Sequence, residues 1–91
     1  MKKATRLTIS GSVQGVFFRQ FVQDNATKRD VRGFVRNLEN GHVEIFLEGD
    51  AEPVDSLIAL CQRGPQHSQI RNVEIKDEKF QGFKDFKILK F

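Results

Sequence analysis

Apolar residues recur at every second position in parts of the chain, and this period predicts β-strands. Leu7 and Ile9 alternate with polar residues near the start, and Val43, Ile45 and Leu47 do so near the middle. A period of two is typical of a strand with one buried face. On the middle strand, the residues expected to face outward are His42, Glu44, Phe46 and Glu48. The predicted strands span residues 5–10, 31–38, 42–48, 70–76 and 83–91.

Two other segments carry apolar residues at the spacing of an α-helix. The first begins near Phe18 and continues to about Arg29, and the second begins after Asp50 and ends at Gly64-Pro65. Asp50 is a favourable N-cap residue, and Pro53 fits the first turn of a helix. A Gly-Pro pair is a typical helix stop. The apolar stripes consist of Phe18, Phe21, Val22 and Ala26 in the first helix and Val54, Leu57, Ile58 and Cys61 in the second.

Asn40-Gly41 lies between the second and third predicted strands and is a strong signal for a β-hairpin. The order of elements is therefore strand, helix, strand, hairpin, strand, helix, strand, with one more strand at the end. This order predicts an α+β fold of the ferredoxin-like kind. Such an α/β sandwich has βαββαβ order, and two helices cover one face of a mainly antiparallel sheet. Because no linker or repeat interrupts the sequence, we expect residues 1–91 to form a single domain.

The composition narrows the possible partners and compartments. The chain has 15 basic and 12 acidic residues, which give a formal charge of +3. This balance suits an anionic ligand, but the two signs are interleaved, which favours an ordinary mixed surface over a nucleic-acid interface. The single cysteine, Cys61, cannot form an internal disulfide and is interpreted as a small buried hydrophobe. Because the N-terminus has no long apolar run, we expect a cytoplasmic chain with no signal peptide and no membrane span.

The stretch GSVQGVFFRQ, residues 11–20, joins the first strand to the first helix and has the composition of an anion-binding turn. Gly15, Val16 and Phe17 supply no side-chain oxygen to the first N–H groups of the helix, which need an acceptor at the positive end of the helix dipole. A phosphate would meet both needs, and glycines let successive N–H groups converge on it. Arg19 adds a planar fork that matches phosphate oxygens. The alternative is that water satisfies these amides and that Arg19 faces solvent.

Asn37 lies at the C-terminal end of the second predicted strand, just before the hairpin. A strand–helix–strand crossover returns the chain parallel to the first strand, so Asn37 is expected at the same sheet edge as residues 11–20. An amide at this position can orient a water by accepting and donating hydrogen bonds. The alternative is an ordinary asparagine beside a turn.

Two groups of residues together resemble the signature of the acylphosphatase family. The first is Gly11-x-Val13-Gln14-Gly15-Val16-x-Phe18-Arg19, and the second is Gly33-x-Val35-x-Asn37-x-x-Asn40-Gly41-x-Val43-Glu44. The resemblance covers nearly the whole chain in element order and length, and it includes the later Glu48-Gly49 and Gly64-Pro65. The combination of these groups is specific.

The resemblance implies hydrolysis of a carboxyl–phosphate anhydride to a carboxylate and inorganic phosphate. It implies that Arg19 holds the phosphoryl group and that Asn37 positions the attacking water, with no metal ion and no other cofactor. The backbone amides implied to cradle the phosphoryl group are those of Gln14, Gly15, Val16, Phe17, Phe18 and Arg19. The implied partners are a small acyl phosphate as substrate and inorganic phosphate as product. We expect a monomer that binds neither nucleic acid nor a membrane.

The chemistry of acyl phosphates is consistent with a site that has no acid, base or nucleophilic side chain. The leaving group is a carboxylate whose conjugate acid has a pKa of about 4, so no general acid is needed to expel it. Phosphoryl transfer passes through a loose transition state, so positioning and charge stabilisation can supply most of the catalysis. His42 and His67 lack the spacing of metal ligands and are expected on the surface.

The chain departs from the family pattern in three places. Arg29-Asp30 stands where Leu-Gly is usual after the first helix, Gln66 replaces a frequent second proline, and the hairpin has Asn40-Gly41 where Asp-Gly is common. The first two departures concern local stability and the ends of the helices, because Asp adopts a left-handed conformation less easily than Gly. None of the three lies at the implied site.

Two other functions are compatible with parts of the pattern. The RNA-recognition motif shares the order of strands and helices, and Arg32-Gly33-Phe34-Val35 weakly resembles its aromatic strand motif. That segment falls on the second strand and not on the third, and the first strand offers no aromatic residue for a base to stack on. A non-catalytic phosphate-binding domain is the other alternative, and it would bind phosphate without turnover.

Overall fold

A computed structural model describes residues 1–12, 16–65 and 69–89 of the chain. Their elements are β1 (Lys2–Ser12), α1 (Val16–Lys28), β2 (Arg32–Asn37), β3 (Val43–Asp50), α2 (Ala51–Arg63), β4 (Gln69–Asp77) and β5 (Phe86–Leu89). The predicted order of elements is confirmed. β5 starts later than predicted, because residues 83–85 still belong to the loop that precedes it.

The strands form one sheet in the order β4-β1-β3-β2-β5. β3 pairs antiparallel with both β1 and β2, β4 pairs antiparallel with β1, and β5 pairs parallel with β2. Residues of both helices share one core with the sheet. This is the predicted ferredoxin-like α+β arrangement, with β5 as an additional strand at one edge. Neither helix in the described residues is long and apolar enough to cross a membrane.

The hydrophobic core lies between the helices and one face of the sheet. Leu7 and Ile9 on β1 and Val43, Ile45 and Leu47 on β3 have no exposed surface, as the alternation predicts. The helices contribute the predicted residues Phe18, Val22, Ala26, Val54, Leu57, Ile58 and Cys61. Burying one large aliphatic side chain stabilises a fold by about 1.5–3 kcal/mol, so this layer accounts for most of the favourable burial.

The other face of the sheet carries no helix, but the loop between β4 and β5 contacts it. Phe46 and Glu48 point to this face as predicted, yet both are fully buried. Phe46 packs against Phe34 and Phe83, with 5.9 and 5.4 Å between ring centroids. The Glu48 carboxylate accepts hydrogen bonds from the backbone N–H groups of Gln81 and Phe83. The outward residues of β3 are therefore not all exposed to solvent, because the loop covers two of them.

The β2–β3 hairpin predicted from Asn40-Gly41 is confirmed. The Leu38 N–H donates to the His42 carbonyl at 2.7 Å, and the Gly41 N–H donates to the Leu38 carbonyl at 3.0 Å. Gly41 has a φ of 89°, which a glycine adopts without strain. The side-chain oxygen of Asn40 accepts a hydrogen bond from the His42 N–H, which fixes the turn further.

α1 ends at the position where aspartate replaces the usual glycine. Asp30 has a φ of 56° and is the only non-glycine residue with positive φ among those described. The Val31 N–H donates to the Ala26 carbonyl and the Asp30 N–H donates to the Thr27 carbonyl, which is the hydrogen-bond pattern of a Schellman motif. The helix therefore ends regularly at this departure, with the Asp30 side chain in a left-handed conformation that favours glycine.

α2 begins differently from the prediction. Asp50 occupies the N-cap position, but its side chain makes no capping hydrogen bond. Its carboxylate lies 3.0 Å from the Lys2 ammonium, and this hydrogen-bonded pair lowers the pKa of Asp50. The Ala51 N–H donates to the Met1 carbonyl at 2.8 Å. The Met1 carbonyl therefore satisfies the first amide of α2, and the side chain of Asp50, which was expected to cap the helix, pairs with Lys2 instead.

Candidate active site

β1 and β2 end at the same edge of the sheet. Both are antiparallel to β3 and therefore run parallel to each other, and Ile9 of β1 and Asn37 of β2 flank the same residue of β3, Val43. Neighbouring strands lie about 4.8 Å apart, so Ile9 and Asn37 lie about 10 Å apart across the sheet. The chain leaves this edge after Ser12 to enter α1.

The first turn of α1 has the composition that the sequence suggested for an anion site. It contains no acidic residue, and Arg19 is its fourth residue, with a partly buried side chain. Phe18 faces the core, whereas Phe17 points away from the protein with 86% of its surface exposed. Val16 is the first residue of the helix, while Gln14 and Gly15 lie outside the described residues. The described part of the implied cradle is therefore a helix start that has a cation and no anion.

Asn37 is the last residue of β2, as predicted, and its side chain lies on the helix-bearing face. It pairs with Val43, a core residue, and residues directly opposite each other on neighbouring strands share a face. The side-chain oxygen Oδ1 of Asn37 is buried and accepts no hydrogen bond from the described residues. A buried acceptor without a donor costs about 1–3 kcal/mol. A donor such as water that forms a hydrogen bond with this oxygen would remove that cost. Thr5 Oγ1 is also buried without a partner among those residues, but Thr5 is further along β1 from this edge.

The acidic residue nearest to this edge on β3, Glu44, is neutralised by two arginines. Its carboxylate lies 2.7 Å from Arg6 and 2.6 Å from Arg36, and Arg6 also contacts Glu78 at 3.2 Å. Burial acts to lower the pKa of Arg6, but its hydrogen bonds with the two carboxylates outweigh burial and raise that pKa above its usual value. The network lies on the helix-free face and leaves little uncompensated negative charge to oppose an anion.

Other groups that often carry catalysis do not form a site in the described residues. These residues contain no cluster of three or more His, Cys, Asp or Glu side chains that could hold a metal ion. Cys61 is fully buried in α2, and burial raises the pKa of its thiol to about 12. The thiol is therefore protonated at neutral pH, which agrees with the interpretation of Cys61 as a small hydrophobe. His42 is partly buried beside the hairpin, and His67 lies outside the described residues.

A cavity of about 530 Å³ opens at the same sheet edge and was not anticipated from the sequence. It is lined by Ser10, Gly11, Asn40, Gly41, His42, Gln69 and Arg71. These residues come from β1, the hairpin and β4, which are distant in sequence and carry no common motif. Only the strand register could have shown that they meet.

Comparison with known proteins gives a consistent family relationship. The model of the acylphosphatase family matches residues 5–88 of the chain. An acylphosphatase from Rubrobacter xylanophilus is 44% identical over 80 residues, which cover 88% of this chain and 73% of that protein. An acylphosphatase from Syntrophus aciditrophicus is 41% identical over 90 residues, which cover 98% and 94% of the two chains.

The fold is similar to that of a solved structure. The crystal structure of acylphosphatase from Bacillus subtilis superimposes with a TM-score of 0.90 at 33% sequence identity. The superposition covers 98% of this chain and 99% of the Bacillus subtilis chain. The agreement in fold therefore extends over nearly the whole length of both chains.

Proposed function

The chain belongs to the acylphosphatase family and is an enzyme of that class, and we propose that Arg19 and Asn37 carry its reaction at the start of α1. The proposed reaction is the metal-independent hydrolysis of small acyl phosphates to a carboxylate and inorganic phosphate. The observation that carries this assignment is the pairing of two features at one sheet edge. One is a helix start that contains Arg19 and no acid, and the other is the buried, unpartnered Oδ1 of Asn37.

Phosphate recognition is the first part of the proposal. The leading N–H groups of α1 lie at the positive end of the helix dipole, and a phosphoryl oxygen would accept from them. Arg19 would add two N–H donors in a plane that fits two phosphoryl oxygens. The proposed cradle consists of the amides of Gln14, Gly15, Val16, Phe17, Phe18 and Arg19. Because negative charge spreads over these oxygens in the transition state, the same contacts would stabilise it.

Water activation is the second part. A water that donates one hydrogen bond to Asn37 Oδ1 would be fixed in orientation, with its lone pair directed at phosphorus. Attack forms the new P–O bond as the bond to the acyl oxygen breaks, and the electron pair of that bond leaves on the carboxylate. The proton of the water is taken up by a phosphoryl oxygen, so the products are a carboxylate and dihydrogen phosphate. The carboxylate leaves without protonation because its conjugate acid has a pKa of about 4.

Contacts on the helix-free face of the sheet argue against the RNA-binding alternative. Phe34, the aromatic residue of the segment that resembles the RNA-binding strand motif, packs against Phe46 and Phe83. A base would have to displace the loop between β4 and β5 to stack on these rings, and Glu48 holds that loop. The proposed partners are therefore a small acyl phosphate and inorganic phosphate, and not nucleic acid.

We further propose that residues 1–91 act as one domain, as a monomer in the cytoplasm. The core formed by both helices and the sheet supports one folding unit, and each group assigned to the site comes from the same chain. The single cysteine is buried and free, so the fold needs no oxidising compartment.

Hydrolysis of benzoyl phosphate in the presence of a chelator, with inorganic phosphate as a competitor, tests the proposed function. We expect turnover that the chelator does not change and that phosphate inhibits competitively. Phosphate binding without turnover would support a non-catalytic phosphate-binding domain instead. Turnover that the chelator abolishes would contradict the metal-independent reaction.

A further inference from the structure

The cavity at the end of β1 is formed by an irregularity in the sheet. Ser10 pairs with Asn72 and Gly11 pairs with Ile70, so Arg71 is an extra residue on β4 with no partner on β1. Such a β-bulge turns the side chain of the extra residue away from the regular alternation, and bulges are frequent beside active sites. Arg71, the extra residue of this bulge, lines the cavity.

Gly11 is required for this local geometry. It has a φ of 132°, and a Cβ atom at this position would lie 2.1 Å from the carbonyl oxygen of Gln69 and 2.8 Å from the backbone nitrogen of Arg71. Any side chain here would therefore push β4 away from β1. Gly11 allows the close approach of the two strands that forms one wall of the cavity.

Arg71 differs from the arginines on the neighbouring part of the sheet. Arg6 and Arg36 are both held by Glu44 on the helix-free face. The side chain of Arg71 is exposed and makes no hydrogen bond or ion pair with the side chains and backbone that the structure describes. The other described residues that line the cavity are neutral polar groups, glycines and His42, with no carboxylate among them. The cavity is thus a polar pocket with one uncompensated cation.

The cavity opens at the sheet edge where both parts of the proposed catalytic site lie. Gly11 is the second-last residue of β1, where the chain turns towards the start of α1. On the other side, the His42 carbonyl accepts a hydrogen bond from Leu38, the residue directly after Asn37. A substrate whose phosphoryl group lies between Arg19 and Asn37 must extend its acyl group away from phosphorus, opposite to the attacking water. The cavity opens at the same sheet edge, and its volume is large enough for a small organic acid.

We propose that this cavity binds the acyl group of the substrate and that Arg71 selects acyl phosphates that carry a second acidic group. The inference rests on the proposed function, because it requires an acyl phosphate held at the start of α1. Arg71 pairs with the additional carboxylate, while Asn40, His42 and Gln69 offer hydrogen bonds to its oxygens. Arg71 is a specificity residue, and it has no part in the transfer of the phosphoryl group.

Three substrates of nearly equal shape test the inference: benzoyl phosphate, 3-carboxybenzoyl phosphate and 3-carbamoylbenzoyl phosphate. The carbamoyl compound has the size of the carboxylate but no charge. We expect the wild-type enzyme to prefer the carboxylate over the carbamoyl compound in kcat/KM, mainly through KM. In Arg71→Gln this preference falls about fivefold, the effect of one partly exposed ion pair. The preference of the wild-type enzyme also falls as salt is added.

Arg32→Gln is the matched control, because Arg32 is an exposed arginine at the opposite end of β2, beside Asp30. It changes the net charge by the same amount, and the ratio of the two kcat/KM values remains that of the wild type. Equal preferences in wild type and Arg71→Gln, or equal losses in Arg71→Gln and Arg32→Gln, would overturn the inference while turnover of benzoyl phosphate still supports the proposed function. Absence of turnover with all three substrates would contradict the proposed function, and the inference with it.

Discussion

The two helices of this protein begin in different chemical environments. α2 starts with its own partners: Ala51 donates to the Met1 carbonyl, Asp50 pairs with Lys2, and Glu52 places an acidic residue in the first turn. The first turn of α1 has no acidic residue, and its charged side chain is Arg19. A cation at the positive end of a helix dipole is unfavourable for the isolated helix.

This difference suggests that the start of α2 serves stability and that the start of α1 serves binding. An anion at α1 would accept hydrogen bonds from the first amides, lie at the positive end of the dipole and contact Arg19. The unfavourable cation is then part of the binding site. If the comparison is correct, changes at α1 alter activity more than stability, and changes at α2 do the opposite.

Replacement of Arg19 is expected to have the largest effect. Arg19→Ala removes the bidentate donor, so kcat/KM for benzoyl phosphate falls at least ~100-fold and inhibition by inorganic phosphate weakens. Arg19→Lys restores little of the activity, because an ammonium does not match the planar fork. Lys28→Ala, which removes a cation from the last turn of the same helix, serves as the control. Near-normal kcat/KM in Arg19→Ala would remove the basis for distinguishing the two helix starts.

Asn37→Ala tests the second group at the same edge. We expect kcat to fall roughly 10–100-fold, because the attacking water loses its orientation, while the inhibition constant of inorganic phosphate stays close to that of the wild type. The free energy of unfolding should not fall, since the substitution removes a buried acceptor that has no donor among the described residues. Loss of phosphate affinity together with turnover would show that Asn37 binds the phosphoryl group and does not act on water.

Adding an acid to the first turn of α1 makes it resemble α2. Phe17 is exposed, so Phe17→Asp disturbs no core contact. The new carboxylate interacts favourably with the helix dipole but repels phosphate, and phosphate inhibition should weaken about 3–10-fold with unchanged or slightly higher stability. Phe17→Asn is the control, because it also removes the aromatic ring but adds no charge. An equal effect of the Asn and Asp variants on phosphate inhibition would argue against an anion at this helix start.

The C-terminal ends of the two helices also differ, and this difference should affect stability but not activity. α1 ends with Asp30 in a left-handed conformation, whereas α2 ends with Gly64 at a φ of 70°. Asp30→Gly should raise the free energy of unfolding by about 0.5–1 kcal/mol, and Gly64→Ala should lower it by about 1 kcal/mol, in urea unfolding. The ion pair of Asp30 with Arg32 spans 3.6 Å on the surface and contributes little. A destabilised Asp30→Gly would mean that another interaction of the carboxylate outweighs its backbone conformation.

The smallest effect is expected at the start of α2. Glu52→Gln removes a favourable charge from the first turn and should lower the free energy of unfolding by about 0.3–0.5 kcal/mol. The kcat/KM for benzoyl phosphate should equal that of the wild type. A change in activity would mean that the two helix starts are not functionally separate.

Periodicity and turn chemistry were sufficient to predict the fold. The alternation on β3, the hairpin at Asn40-Gly41 and the stop at Gly64-Pro65 are local signals, and local signals determine the type and order of elements. The position of Asn37 at the edge where β1 ends followed from the parallel direction of the two strands that one crossover joins.

The features that the sequence did not predict depend on contacts between distant segments. Glu48 was expected to face outward, and its burial depends on a loop more than 30 residues later, which donates N–H groups to it. The partner of the first α2 amide is the carbonyl of Met1, which no capping pattern contains. The cavity at Arg71 requires the shifted register of β1 and β4. Strand register and long-range backbone hydrogen bonds produce no periodic pattern in a single sequence, so they cannot be predicted from it in this way.

An amide NMR titration with inorganic phosphate tests the central claim most directly. The first turn of α1 and the segment that precedes it should show saturable shifts of the N–H signals of residues 14–19 and of the Arg19 side chain, with a dissociation constant equal to the kinetic inhibition constant. The amides of residues 51–54 at the start of α2 should not shift. Saturable shifts at α2, or none at α1 at phosphate concentrations that inhibit turnover, would contradict the account.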